Sequence, residues 1–204
     1  MRATEHLQLA FDIGMAGHPE LQRRWIDVMY KVASRWGRAH MVSLTSTNRI
    51  DLLLRQLERE QLEGMQNGSS DAAANSVDVV VALAETWVLR TYEVIRAAAE
   101  QATRRGETNE KLATLKYRLG LVRMPIAKAE IKDVRAKEPV LDVFGLAGGE
   151  RDPRPYKNDG SYIIPRGICG TTGSVMWWPI DIKQMTTVEI RRRELSDEFL
   201  SLFD

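Results

Sequence analysis

The feature that most constrains this chain is the spacing of its apolar side chains, which recur every three or four positions in four separate runs between residues 20 and 135. That period matches the turn of an α-helix, so each run places its apolar groups on one helical face. Each face must be covered, and short connections favour antiparallel neighbours. The sequence therefore predicts a mainly α fold, an antiparallel bundle of about four helices.

The predicted helices begin and end at residues that favour helix boundaries. The first spans residues 19–40, with a proline in its first turn, where a missing amide hydrogen is tolerated. The second spans 47–64, and the third spans 72–105 and is closed by a glycine at 106. The fourth begins near residue 108, and Pro125 is expected to kink it or split it after Met124.

The composition changes near Pro139, because residues 139–179 contain five of the seven prolines and seven of the fourteen glycines. This excludes a continuous helix there. We therefore divide the chain into a helical bundle over residues 1–138 and a small irregular or β-hairpin extension over 139–204, packed on the bundle.

The extension is expected to contain short strands and a terminal helix. Candidate strands cover residues 140–144 and 162–164, and residues 149–160 are typical of an exposed polar loop. The strongest strand is 175–182, in which Met176, Trp178, Ile180 and Ile182 would share one face, and it forms a hairpin with 186–190. Pro179 places that strand at an edge or at a bulge. The chain then ends in a short amphipathic helix, which we expect to dock on the bundle or on a second subunit.

Charge and cysteine content narrow the function classes. The chain has 29 basic and 28 acidic side chains and a formal net charge of +1, so no overall field draws it to nucleic acid or to anionic lipid. The one cysteine, Cys169, is typical of a reducing compartment. No apolar run approaches the length of a membrane span, and the first residues do not resemble a secretory signal. We expect a cytoplasmic protein without a cofactor.

Adjacent tryptophans give the best indication of an interaction surface. Trp177 and Trp178 must point to opposite sides of a strand, so one can lie in the core while the other is exposed or covered by a partner. Met176 lies beside them, and Phe199 is on the terminal helix. Our leading interpretation is a non-enzymatic helical interaction or regulatory module that binds a protein partner or itself, with Met176, Trp177, Trp178 and Phe199 as interface residues.

A glycine-rich stretch from residue 167 to 174 is a weaker candidate for anion binding. Backbone amides at Gly170, Thr171, Thr172 and Gly173 could face a phosphate group. The stretch lacks the lysine and the following helix of a Walker loop, so an ordinary hairpin approach is the alternative. Cys169 would need a nearby base or positive charge to act as a nucleophile.

The segment Arg35-Trp36-Gly37-Arg38-Ala39-His40 places an arginine five residues before a histidine near the predicted end of a helix. It resembles the Arg-x4-6-His element of HEPN ribonucleases, which are small helical bundles. That resemblance implies RNA cleavage, with Arg35 contacting phosphate and His40 aiding proton transfer. The family places its element late in the bundle, whereas this one lies on the first long helix. The alternative is that His40 is a favourable cation at a helix terminus.

Two further kinds of site have little support in the sequence. A carboxylate metal site in a bundle would need Glu-x-x-His pairs, which the sequence lacks, and we predict no metal. The triplet Arg191-Arg192-Arg193 would suit a nucleic-acid-binding regulator, but acidic residues follow it directly, so a solvated helical face is the preferred interpretation.

Overall fold

The computed structural model describes residues 2–68, 70–134, 140–143, 152–156 and 160–204, and confirms a mainly α fold with a small antiparallel β region towards the C-terminus. The described helices are α1 (Ala3–Gly17), α2 (Pro19–Trp36), α3 (His40–Gln66), α4 (Ser70–Arg104), α5 (Glu110–Lys128) and α6 (Arg192–Leu200). Helix α1 lies before the first apolar run and was not predicted.

Helix α3 is the central helix of the bundle. Its residues 51–55 are all buried, including three leucines in succession. Five successive residues of a helix point around its whole circumference, so α3 must be covered on every side. Helices α2, α4 and α6 contact it through side chains. Helix α1 lies so close on a further side that a Cβ at Gly14 would be 2.9 Å from the Leu53 Cα. The prediction of a single apolar face therefore described only part of the buried surface of this helix.

Two predicted helix boundaries were wrong. Helix α3 begins at His40 instead of near residue 47. Of the two effects predicted for Pro125, a kink or a split after Met124, the split was wrong, because helix α5 runs through Pro125 to Lys128 and the Ala129 amide donates to the Pro125 carbonyl at 2.9 Å. A proline this close to the C-terminal end of a helix removes one amide donor but leaves the closing turn intact.

The strands that the structure describes form three small antiparallel sheets. Strands β1 (Val140–Val143) and β2 (Asp152–Pro155) pair with each other, as do β5 (Ile180–Asp181) and β6 (Thr186–Thr187). Strands β3 (Arg166–Ile168), β4 (Val175–Trp177) and β7 (Ile190–Arg191) form a sheet in the order β3-β4-β7. The predicted strand over 140–144 is present as β1, but Phe144 lies outside the described residues. The same holds for parts of the predicted loop 149–160, which contains β2.

The predicted hairpin over residues 175–190 is present in two parts. Trp177 pairs with Ile190 and Ile180 pairs with Thr187, and the ladder is interrupted at Pro179, which has no amide hydrogen to donate. Strand β4 lies between β3 and β7, so of the two predicted alternatives, an edge or a bulge, the edge position was wrong. The predicted strand 162–164 was also wrong, because the Tyr162 amide donates to Ala129 at the end of α5 and the strand starts only at Arg166.

Helix α6 docks on its own chain. Leu195, Phe199 and Leu200 are fully buried, and the Phe199 ring stacks on Trp25 of α2 with a centroid distance of 5.0 Å. Side chains of β4 and β7 belong to the same apolar core as those of α2 to α5. The predicted boundary near residue 138 lies outside the described residues, so the division into two units stays a prediction.

Candidate functional site

The junction of α3 and α6 contains a fully buried ionic cluster. Arg192 is 0% exposed and lies between two carboxylates of α3 that are also buried, Asp51 and Glu58. Its Nε donates to Glu58 Oε1 at 2.9 Å and its Nη1 donates to Asp51 Oδ1. Trp25 Nε1 donates to the other Asp51 oxygen at 2.8 Å, and Arg193 Nε donates to Glu58 Oε2 at 3.0 Å. Glu58 therefore accepts charge-assisted hydrogen bonds on both of its oxygens. Asp51 accepts a charge-assisted bond from Arg192 on one oxygen and the buried Trp25 N–H on the other.

The sequence spacing explains how this cluster forms. Asp51 and Glu58 are seven residues apart, which is about two turns of a helix, so they point in nearly the same direction from α3. The interpretation of the 191–193 triplet as a solvated face was wrong for Arg192, because the chain turns from β7 into α6 directly against these carboxylates. Arg191 keeps a partly exposed side chain, which is paired with Glu189 and Glu194.

The corner between α1 and α2 lies beside the same cluster. His18 occupies it, and its Nε2 is shielded from solvent without a hydrogen-bond partner among the described residues. Burial lowers the pKa of His18, and the positive charges of Arg59, Arg55 and Arg193 lower it further, against a smaller opposing effect of Asp51. His18 is therefore held in its neutral form more strongly than a solvated histidine.

The turn that joins β3 to β4 contains the candidate anion loop. The amides of Thr172 and Gly173 donate to the Cys169 carbonyl at 3.3 and 2.8 Å, and the Ser174 amide donates to the Thr172 hydroxyl at 3.3 Å. Of the four proposed residues, Thr172 and Gly173 therefore use their amides to close the turn, and the Thr171 amide donates to the Cys169 thiol. Gly173 has φ +68° and packs on the backbone of Glu58, where a Cβ would overlap the Glu58 carbonyl oxygen. The turn therefore packs the sheet directly against α3.

The thiol of Cys169 lies inside this turn. Burial by itself raises the pKa of Cys169, but hydrogen bonds from the side chains and amides of Thr171 and Thr172 outweigh it and lower the pKa to about 7. The Cys169 Sγ lies 3.1 Å from the Thr171 hydroxyl. Cys169 is only 4% exposed, so it contacts other residues of the chain and very little solvent.

The four predicted interface residues divide into two groups. Trp177 and Phe199 are both 0% exposed in the chain's own core, so their assignment to a partner surface was wrong. Trp178 and Met176 are partly exposed and remain candidates. A Cβ at Gly167 would lie 3.1 Å from the Trp178 ring, so part of this indole is already covered by its own sheet.

The predicted pair Arg35 and His40 is not assembled into one site. Arg35 Nη2 bonds to Glu107 Oε2 at 2.9 Å, and its backbone carbonyl accepts a hydrogen bond from Arg105. His40 begins α3 and lines a different shallow hollow, beside Arg90 of α4.

Helix α1 has an unusual distribution of apolar side chains. They alternate with other residues, and because a helix advances about 100° per residue, such alternation gives two apolar faces on opposite sides. Phe11 lies on the same side as Gly14, towards α3, whereas Leu9 and Ile13 lie on the opposite side and are 49% and 46% exposed. Within the described part of the chain only Gly14 of this helix is fully buried. The alternating apolar residues are visible in the sequence, but alternation is typical of a β-strand, so it did not predict this helix.

A groove of about 500 Å³ runs between the C-terminal half of α4 and the N-terminal half of α5. Alanines from both helices contribute to its lining, at 99 and 102 of α4 and at 113 of α5. Lys116, Lys132, Glu107 and Glu110 also line it, and of these Lys132 is paired with Asp133 and Glu107 with Arg35. Tyr117 also lines the groove, and its hydroxyl donates to Asp181 Oδ1 at 2.6 Å.

No family model, curated protein or solved structure matches this chain. Among the residues that the structure describes, no helix is long and apolar enough to cross a membrane. The same residues contain no group of three or more acidic, histidine or cysteine side chains arranged to hold a metal ion. The features that remain for a functional argument are the exposed face of α1, the groove between α4 and α5, and the buried cluster at Arg192.

Proposed function

We propose that this protein is a cytoplasmic, self-associating helical interaction module, and that the outer face of α1 is its contact surface. The observation that carries the proposal is that Leu9 and Ile13 form an apolar stripe on the side of α1 that faces away from α3. Isolated exposed apolar residues are common on protein surfaces, but a helix with two apolar faces needs two neighbours.

The arrangement of α1 supports this role in a second way. The helix contacts mainly α3, and its first seven described residues are all exposed, including Leu7 at 54%. An isolated helix of this length is only marginally stable in water, so most of its stability must come from packing. A partner on the outer face would bury the second stripe and stabilise the helix at the same time.

Association can be tested by sedimentation velocity from about 1 to 100 µM, a range that covers ordinary weak to moderate affinities. We expect the natural protein to dimerise or form a larger oligomer within that range. The Leu9→Glu/Ile13→Glu double variant should remain a monomer, because glutamate at a buried apolar contact loses its hydration without a partner. Circular dichroism should show the same helix content in both proteins.

The matched control is Ile163→Glu. Ile163 is 85% exposed and lies beside the C-terminal end of α5, next to the hydrogen bond from Tyr162 to Ala129. It should associate like the natural protein. A natural protein that stays monomeric at 100 µM, or a double variant that associates as well as the control, contradicts the proposal.

The ribonuclease interpretation has no comparable observation in its favour. Its arginine is engaged by Glu107, and its histidine lines a separate hollow. It stays a prediction from the sequence, as does the nucleic-acid-binding regulator, whose basic triplet contributes Arg192 to the interior.

A further inference from the structure

We infer that His18 is a proton-sensitive hinge, and that its protonation releases α1 from its position against α3. His18 is the single residue between the two helices that it joins, because α1 ends at Gly17 and α2 begins at Pro19. The release of α1 is a property of one chain and can be observed without any partner. Its consequence for association rests on the proposed function, in which α1 carries the contact surface.

The joint at His18 allows α1 to change direction while α2 stays in place. Its φ of −139° and ψ of 57° lie outside the helical region, so the helical backbone is interrupted at this residue. The His18 amide donates to Met15 of α1 at 3.3 Å, and the His18 carbonyl accepts from Gln22 of α2 at 3.0 Å. Rotation about the two backbone bonds of the His18 Cα therefore leaves the hydrogen bonds of both helices intact.

Helix α1 is held on α3 by a small contact. Among its described residues only Gly14 is fully buried, and a Cβ there would lie 2.9 Å from the Leu53 backbone. Phe11 and Met15 are partly buried beside it. A helix of fifteen residues is only marginally stable when it is alone in water, so a released α1 should also lose its helical hydrogen bonds. A modest change in the free energy of docking therefore changes strongly how often α1 opens.

The surroundings of His18 accommodate the neutral ring and oppose the charged one. Its Nε2 is shielded from solvent and has no hydrogen-bond partner among the described residues. Positive charges act on it from two elements, Arg55 and Arg59 of α3 and Arg193 of α6, and the opposing charge is that of Asp51 of α3. The dipoles of α1 and α2 act on it in opposite directions, because it lies at the negative end of one and the positive end of the other.

The nearby carboxylates are already engaged by other partners. Asp51 accepts from Trp25 on one oxygen and from Arg192 on the other, and Asp197 pairs with Arg55. An imidazolium in the docked position would therefore lose hydration without gaining an ion pair of its own. Release of α1 uncovers the ring, so the released form binds the proton more tightly than the docked form, in agreement with the lowered pKa of the histidine. Acid therefore favours release as the pH falls below 6.5.

The test is hydrogen exchange of the amides of residues 7–17, followed by mass spectrometry at a protein concentration of about 1 µM. The measurement is made at about pH 7.5 and about pH 5.5, on either side of the ordinary histidine titration and above that of most carboxyl groups. After correction for the intrinsic exchange rate, protection of α1 in the natural protein should fall at least about threefold at the lower pH, since each unit by which docking lowers the pKa makes opening tenfold more frequent. Protection within α4 should stay high, which separates release of α1 from unfolding of the whole chain.

Three variants identify the group that takes up the proton. His18→Gln should show the same protection of α1 at both pH values. His6→Gln, at an exposed position of α1 itself, should keep the pH dependence of the natural protein. Arg59→Gln, at an exposed position of α3, removes one of the charges that oppose the proton, so the ratio of protection at the two pH values should become smaller. Equal protection of the natural α1 at both pH values, absence of protection already at pH 7.5, or pH dependence that persists in His18→Gln contradicts the inference.

The consequence for association is measured separately, by sedimentation velocity at about 100 µM and the same two pH values. The natural protein should associate less at the lower pH, whereas His18→Gln should associate equally at both. If hydrogen exchange shows release of α1 in acid but the protein is monomeric at both pH values, or associates equally at both, the hinge is supported and α1 is not the contact surface. If association depends on α1 but its protection does not change with pH, the proposed function stands and the hinge is wrong.

Discussion

Removing Arg192 should leave two buried carboxylates without their shared cation. In the Arg192→Met variant, Asp51 keeps the Trp25 N–H at 2.8 Å and the more distant Arg55 Nε at 3.8 Å, and Glu58 keeps the Arg193 guanidinium at 3.0 Å. Loss of one partner from a buried ion pair costs about 3–5 kcal/mol of unfolding free energy. With a urea dependence of about 2 kcal/mol per molar, the denaturation midpoint should fall by about 2 M.

The neighbouring arginine is the natural control. Arg191 has a side chain that is 36% exposed, and it pairs with glutamates on the surface. Arg191→Met should therefore shift the midpoint by no more than the effect of a surface pair, about 0–1 kcal/mol. Urea denaturation followed by tryptophan fluorescence and by circular dichroism measures both variants. If Arg192→Met costs no more than Arg191→Met, the buried cluster does not contribute as the geometry requires.

Two further predictions concern the surroundings of this cluster. Gly173→Ala should lower the unfolding free energy by at least about 2 kcal/mol, because φ is +68° and the new Cβ would overlap the Glu58 carbonyl, whereas Gly170→Ala, with open space around it, should change stability by less than about 0.5 kcal/mol. His18 should make the fold less stable in acid, because its pKa is below 6.5 when folded, so the unfolded chain takes up the proton first as the pH falls through 6.5. His18→Gln should flatten that part of the curve of unfolding free energy against pH, and an unchanged slope would show that His18 does not contribute.

The long helices were predictable because each repeats its apolar residues at the helical period. Trp25, Val28, Val32 and Trp36 of α2 are all buried on one side, as their spacing indicates. Helix α1 was missed because its apolar residues alternate, and a single-sequence pattern cannot show which face of such a helix packs against a neighbour. Helix α3 covers one face of α1, and that contact depends on the tertiary structure and not on the local sequence.

The ionic cluster was not predictable from local pattern for a related reason. Charged residues at helical spacing are typical of a solvated face, and Asp51, Arg55 and Glu58 have that spacing. Their burial depends on a partner 134 residues away from Glu58 in the chain, because only Arg192 places a guanidinium between the carboxylates. The opposite charges were visible in the sequence, but no spacing rule connects them across that distance.

The position of Arg192 also explains how α6 acquires its orientation. Three consecutive arginines could each approach the carboxylates if α6 rotated about its axis, yet only the middle one is fully buried. Leu195 and Phe199 follow it by three and seven residues, so they lie on the same helical face and are buried with it. Rotating α6 by one residue, about 100°, would bring Arg191 or Arg193 to the carboxylates and would turn Leu195 and Phe199 away from Trp25. The ion pair and the apolar contacts therefore select the same rotation of α6, which is the kind of specificity that a buried charge can supply even where its net contribution to stability is small.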